Sequence, residues 1–153
     1  ETLSHFFAKY PNGPAPRYST THIHTGTAQY VANRGGSSGL NIWDLSGGFT
    51  LSQHWYMADL PNGMPQSAEA GNINFQDKFG PKSVLFIFYT NDGYKQFGQG
   101  VKTGYPGCYN LDCQGFVQTS NAWRLGGSWR RYSVEGGDDV GVTFSFLLYN
   151  GDW

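Results

Sequence analysis

A chain of 153 residues is long enough for one domain with a sizeable core. Its formal net charge of −1 argues against the strongly basic surface that nucleic acids and anionic membranes require. Charged residues are scarce at 14%, while aromatics reach 17% and glycines number 22, a mixture that suits short strands and tight turns better than helices.

The chain begins at Glu1 without a charged-then-apolar leader, which reads as a processed mature terminus or an artificial boundary. Leu3, Phe6, Phe7 and Tyr10 recur at helical spacing behind a capping Thr2, so residues 2–10 predict one short N-terminal helix. The prolines of "PNGPAP" end it. Residues 1–19 therefore read as an N-terminal segment with a Pro-rich linker, and residues 20–153 as a single β-sandwich domain.

From there the pattern is of strands. "THIHTGTAQYVAN" alternates loosely, "RGGSSG" reads as a break, and "LNIWDL" resumes an extended run. "FTLSQHWYMA" places Phe49, Leu51, Gln53, Trp55 and Met57 on one face, and "DLPNGMPQ" is a turn. "SVLFIFYT" is apolar on both sides, as a central strand covered on both faces would be. "GFVQTS", "SWRRYSV" and "VTFSFLLY" complete the set. The fold class expected is all-β: an antiparallel sandwich of short, Gly-punctuated strands. No apolar run approaches the roughly 20 residues that span a bilayer, so neither a membrane nor a nucleic acid is an expected partner.

One strand is out of keeping with a purely structural design. In "SAEAGNINF", Glu69, Gly71, Ile73 and Phe75 share one face, while Ala68, Ala70, Asn72 and Asn74 share the other. The carboxylate thus lies on the more apolar side, where it loses hydration and needs either a partner or a raised pKa.

Cys108 and Cys113 stand close together in "GCYNLDCQGF". A zinc site would need two more ligands in that segment, and none is present. A disulfide closing a strand-to-strand turn is the better reading, and it implies an oxidising, extracellular compartment.

Several stretches together resemble the neprosin-type domain, a family of secreted glutamic peptidases. "GCYNLDCQGFVQ" is the strongest, preceded by "LFIFYTNDGY" and, upstream, by "EAGN", "FTLSQHW" and "LNIWDL" in the family's order. The resemblance covers roughly residues 22 to 153 and implies an antiparallel β-sandwich that cleaves peptides near proline in acid, using two glutamates and no cofactor. Its first glutamate, in a Glu-Ala-Gly-Trp motif, maps onto Glu69, with Asn72 in place of the Trp and therefore an altered wall beside the carboxylate. Its second lies in a Gly-Gly-Glu motif downstream of the segment resembling "NGDW", beyond Trp153. The chain resembles the first two-thirds of that domain and is expected to be weak or inactive alone. Glu135 in "VEGGDD" is a remote substitute.

Gln53 is the next catalytic candidate. A Gln amide can orient a water or stabilise an oxyanion, and another glutamic-peptidase class resembles a Gln–Glu pairing. The competing reading is an amide satisfied within the sheet, and register decides which faces meet. His22, His24 and His54 hardly make a metal site, and no metal is expected. Trp43, Trp55, Tyr94 and Trp129, with Trp123 and Tyr132, could stack against sugar rings, although core packing accounts for most such aromatics. Arg124, Arg130 and Arg131 read as a solvated face.

Two readings follow. In the first the chain is a neprosin-like acid endopeptidase acting on peptides. In the second it is a glycan-binding or defence protein on the same scaffold. Either is expected to be secreted, and "VTFSFLLY" could pair edge-to-edge in a homodimer.

Overall fold

The computed structural model describes residues 26–95 and 107–153. Within them the chain forms β1 (Gly35–Asn41), β2 (Phe49–Asp59), β3 (Pro65–Phe75), the helical turn α1 (Gln76–Phe79), β4 (Val84–Thr90), β5 (Cys108–Tyr109) and β6 (Gly141–Leu147). All pairings are antiparallel: one sheet runs β2-β3-β4-β5, and a second pairs β1 with β6. The all-β expectation holds.

The larger sheet is a meander in which β2 and β3 form a long hairpin. Its turn follows from local chemistry, with Pro61 setting φ and Gly63 adopting φ 76°. The Gly63 N–H donates to the Leu60 carbonyl at 2.8 Å and the Met64 N–H to Asn62 Oδ1 at 3.0 Å. That loop sets the register, which pairs Gln53 with Gly71 and Trp55 with Glu69. β4 lies between β3 and β5 and is buried on most positions, as its unbroken apolar run predicts. Beyond β5, Asn110 and the Gly126–Gly127 pair continue to bond the outer edge of β4.

The two faces of this sheet do different things. One carries the main core: Ile73, Phe75, Val84, Phe86, Phe88, Tyr94 and Tyr109, with Phe49 and Phe79 against it. The other receives the β1–β6 ribbon. His54 and Tyr56 meet Phe146 with ring centroids 5.3 and 5.2 Å apart, and Ser38 Oγ lies 2.8 Å from His54 Nδ1.

Several expected elements are placed differently. "RGGSSG", read as a break, lies mostly within β1. A Cβ at Gly35 would stand 2.3 Å from the Phe146 carbonyl oxygen, and one at Gly36 would stand 2.4 Å from Tyr56 Oη. The glycines are there because the chains approach closely, not because the strand ends. Of "THIHTGTAQYVAN", the described part carries no strand, and only Leu40 and Asn41 of "LNIWDL" are extended in β1. "GFVQTS" is irregular, and "SWRRYSV" contributes a single bridge, Ser128 to Val84. Gly115 at φ 128° and Gly126 at φ 74° turn the backbone out of any extended run there. The helix expected at residues 2–10 lies outside the described residues, as do His22 and His24.

The disulfide is present. Cys108 and Cys113 are bonded with Cα atoms 5.6 Å apart, tying β5 to the turn after it rather than to another strand. β6 matches its prediction and pairs with β1; its other edge has no strand partner among the described residues.

Candidate active site

Glu69 occupies the centre of β3 and is 2% exposed. Pairing places Trp55 directly across from it on β2 and Phe88 directly across on β4. The rows on either side, on the same face, hold Gln53, Gly71 and Phe86 in one direction and Met57, Ser67 and Thr90 in the other. The period-two reading of "SAEAGNINF" is therefore correct: the carboxyl lies among apolar neighbours.

Gly71 makes this arrangement tight. A Cβ there would lie 2.0 Å from the Ser52 carbonyl oxygen and 2.7 Å from Gln53 Cα, so only glycine lets β2 press this closely against β3.

The side chain that answers Glu69 comes from its own strand. Ser67 Oγ donates to Glu69 Oε1 at 2.9 Å, and Tyr94 Oη donates in turn to Ser67 Oγ at 3.2 Å. Burial pushes the Glu69 carboxyl up to about 8, and the Ser67 hydrogen bond pulls the other way. At neutral pH the buried group is mostly the neutral acid.

Tyr94 reaches Ser67 from an unusual backbone. Its φ is 62°, a left-handed value that costs a bulky residue about 1–2 kcal/mol. The loop holds it there: Thr90 Oγ1 accepts the Tyr94 N–H at 2.8 Å, and Asp92 Oδ1 accepts both the Thr90 hydroxyl and the Lys95 N–H at 3.0 Å. The ring is 4% exposed and stacks on Phe88, with centroids 6.3 Å apart.

The other candidates divide between the two faces. Gln53 is on the Glu69 face, and its Oε1 is buried without a hydrogen-bond partner among the described residues. Trp55 and Tyr94 are also on that side. Trp43 and Trp129 are not: Asn72 donates to the Trp43 carbonyl at 2.9 Å and accepts the Trp129 indole N–H at 2.7 Å. Trp129 meets Trp123 edge-on at 6.3 Å, while the Tyr132 hydroxyl donates to the Ser83 carbonyl at 2.8 Å. The six aromatics therefore do not form one platform. Asn72 belongs to the face opposite Glu69, so the residue replacing Trp in the motif alters that other face and not the wall beside the carboxyl.

Glu135 is exposed in the turn before β6, where Val134 and Asp138 bond one another and Ser133 bonds the Ile42 carbonyl. Nothing in that turn connects it to the Ser67–Tyr94 group. Arg124, Arg130 and Arg131 are exposed as expected. His54 is engaged with Ser38, and among the described residues no group of three His, Cys, Asp or Glu is arranged to hold a metal. No helix among them is long and apolar enough to cross a membrane.

Ser67 was absent from the expected site and Tyr94 was expected there only as a stacking ring. The signal for Ser67 was available: it stands two residues before Glu69, hence on the same face. Tyr94 gave no such signal, because a loop residue at positive φ has no periodicity.

A family model described as Neprosin matches residues 46–153, more than two thirds of the chain. No solved structure matches it. The chain belongs to the Neprosin family.

Proposed function

We propose that this chain carries the acid half of a glutamic-peptidase site, with Glu69 as general acid in the cleavage of peptides near proline. One observation supports this above the rest: a carboxyl buried on an apolar face and pushed up to about 8. Amide hydrolysis needs a proton given to the leaving nitrogen and a proton taken from the attacking water. A neutral carboxyl supplies the first, and a group of this kind stays protonated across the acid range. Gln53, one row from Glu69 with a free buried acceptor, is placed to orient the water or the substrate amide.

The second proton transfer calls for a carboxylate that ionises. The rows flanking Glu69 hold none, and no Gly-Gly-Glu triplet occurs in the sequence. Cleavage by this chain is accordingly proposed to be weak unless a second carboxylate approaches. The disulfide and family membership support secretion into an oxidising medium. The edge of β6 that has no strand partner among the described residues is proposed as a seat for a second copy of the chain, and a strictly monomeric mass by light scattering at high concentration would remove that idea.

The test is cleavage of a proline-containing peptide at acid pH by the native protein and by Glu69→Gln. General-acid loss should cost about 100-fold or more. Activity that survives the substitution overturns the assignment. If neither protein cleaves, the alternative takes its place, a non-catalytic glycan-binding or defence protein, with half-buried Trp55 as the aromatic left to it on the Glu69 side.

A further inference from the structure

We propose that Tyr94 and Ser67 are positioning residues for Glu69, their hydroxyls forming a directed chain that makes Oε1 the accepting oxygen and leaves Oε2 to carry the transferable proton. The inference rests on Glu69 being the acid of the proposed site, but its geometry is separate from any cleavage.

A serine hydroxyl has one hydrogen. In this structure that hydrogen points at Glu69 Oε1, 2.9 Å away, and the Tyr94 phenol fills a Ser67 lone pair at 3.2 Å. Reversing the chain, so that a protonated Oε1 donated to Ser67, would turn the Ser67 hydrogen onto the Tyr94 oxygen, and a phenol is a better donor and a poorer acceptor than an aliphatic hydroxyl. Tyr94 thereby fixes the direction and Ser67 transmits it. The proton of the neutral acid is confined to Oε2, one defined oxygen instead of two. The left-handed backbone at Tyr94, held by Thr90 and Asp92, has a use in this arrangement: it delivers the phenol to Ser67 from outside the strand.

The surroundings leave few competing ionisable groups. From β2, the residues facing Glu69 are Gln53, Trp55 and Met57; from β4, they are Phe86, Phe88 and Thr90. None of these titrates. The ionisable groups on this side among the described residues are Tyr94 itself, Tyr109 across from Phe88, Lys78 over the Tyr109 and Phe79 rings with its ion-pair partner Asp112, exposed Asp59 at the end of β2, and Asp92 and Lys95 in the Tyr94 loop. Since the Ser67 bond favours the ionised acid against burial, its removal must raise the Glu69 midpoint further.

The sequence makes a direct measurement practical, because its glutamates are only Glu1, Glu69 and Glu135. Protein labelled with 13C at the glutamate carboxyl carbon would be titrated by NMR, with single substitutions assigning the three signals. Ser67→Ala should move the Glu69 midpoint upward by about one pH unit, Tyr94→Phe should move it less in the same direction, and Ser67→Thr should restore it. Where the native protein cleaves peptide, the alkaline limb of its activity should move in step. An unmoved Glu69 midpoint in Tyr94→Phe, which keeps the ring and its stack on Phe88, overturns the proposal, even if Ser67→Ala fails to fold. A protein that never cleaves peptide but shows these shifts keeps the chain of hydroxyls and loses only the peptidase reading. One whose cleavage depends on Glu69 while the midpoints stay put keeps the peptidase reading and loses the chain.

Discussion

Glu69 and Asn72 are both buried polar residues of β3, three positions apart, and therefore on opposite faces of one sheet. Asn72 is engaged on both its donor and its acceptor side: its amide joins the Trp43 carbonyl to the Trp129 indole and so clamps two separate loops to the strand. Glu69 has a single serine donor and otherwise faces Trp55 and Phe88, and its proton affinity rises accordingly. A buried polar group held on both its donor and its acceptor side acts as structure. One left short of donors keeps its desolvation penalty as an altered pKa, which is what acid–base chemistry uses.

The comparison can be broken most forcefully through pH. The folded pKa of Glu69, about 8, lies above the 4.5 of the unfolded chain, so between those values the folded protein holds a proton that the unfolded one has released. Its contribution is fully present below 4.5 and drains away as pH rises to about 8, a difference of about 5 kcal/mol. The thermal midpoint should therefore fall across this window, and Glu69→Gln should flatten the fall. Two other groups run the opposite way and must be subtracted. Burial lowers the pKa of His54, so that acid costs stability there. Burial also raises Asp44, but hydrogen bonds from Lys82 and the Ser83 N–H outweigh it and leave its carboxyl below the usual range, again favouring less acid conditions.

Asn72→Ala should come next. It strands a carbonyl and an indole N–H together, at about 2–3 kcal/mol, measured by denaturant midpoint, and that loss should be the same at pH 5 and pH 8. A pH-dependent loss would mean that the two faces are coupled. The smallest effect concerns neither face directly. Cys108→Ser with Cys113→Ser opens a short loop and should cost about 2 kcal/mol, while the Glu69 midpoint remains where it was.

Much of this was legible beforehand. The strands β2, β3, β4 and β6 follow from alternation or from an apolar run, and the same alternation exposed Glu69 as misplaced. The glycine-rich β1 was not legible, because glycine looks like a break unless the neighbour it accommodates is known. Phe146 and Tyr56, the neighbours in question, are far away in sequence. The segments after Cys113 misled in the opposite sense: aromatic and β-branched residues suggested strands, yet "GFVQTS" is irregular and only Ser128 of "SWRRYSV" meets the edge of β4, beside Gly126 and Gly127.

The sequence by itself determined the all-β class, the hairpin at Pro61-Asn62-Gly63, the near pairing of two cysteines, and a carboxylate on the apolar side of its strand. These are local properties, set by period, turn chemistry and composition. Only the tertiary structure decided that Trp55 rather than Gln53 stands opposite Glu69, that Asn72 belongs to the other face's loops, and that Tyr94 reaches in to direct the Ser67 proton. Each of those depends on register or on a loop returning through space, and neither is encoded in the spacing of neighbouring residues.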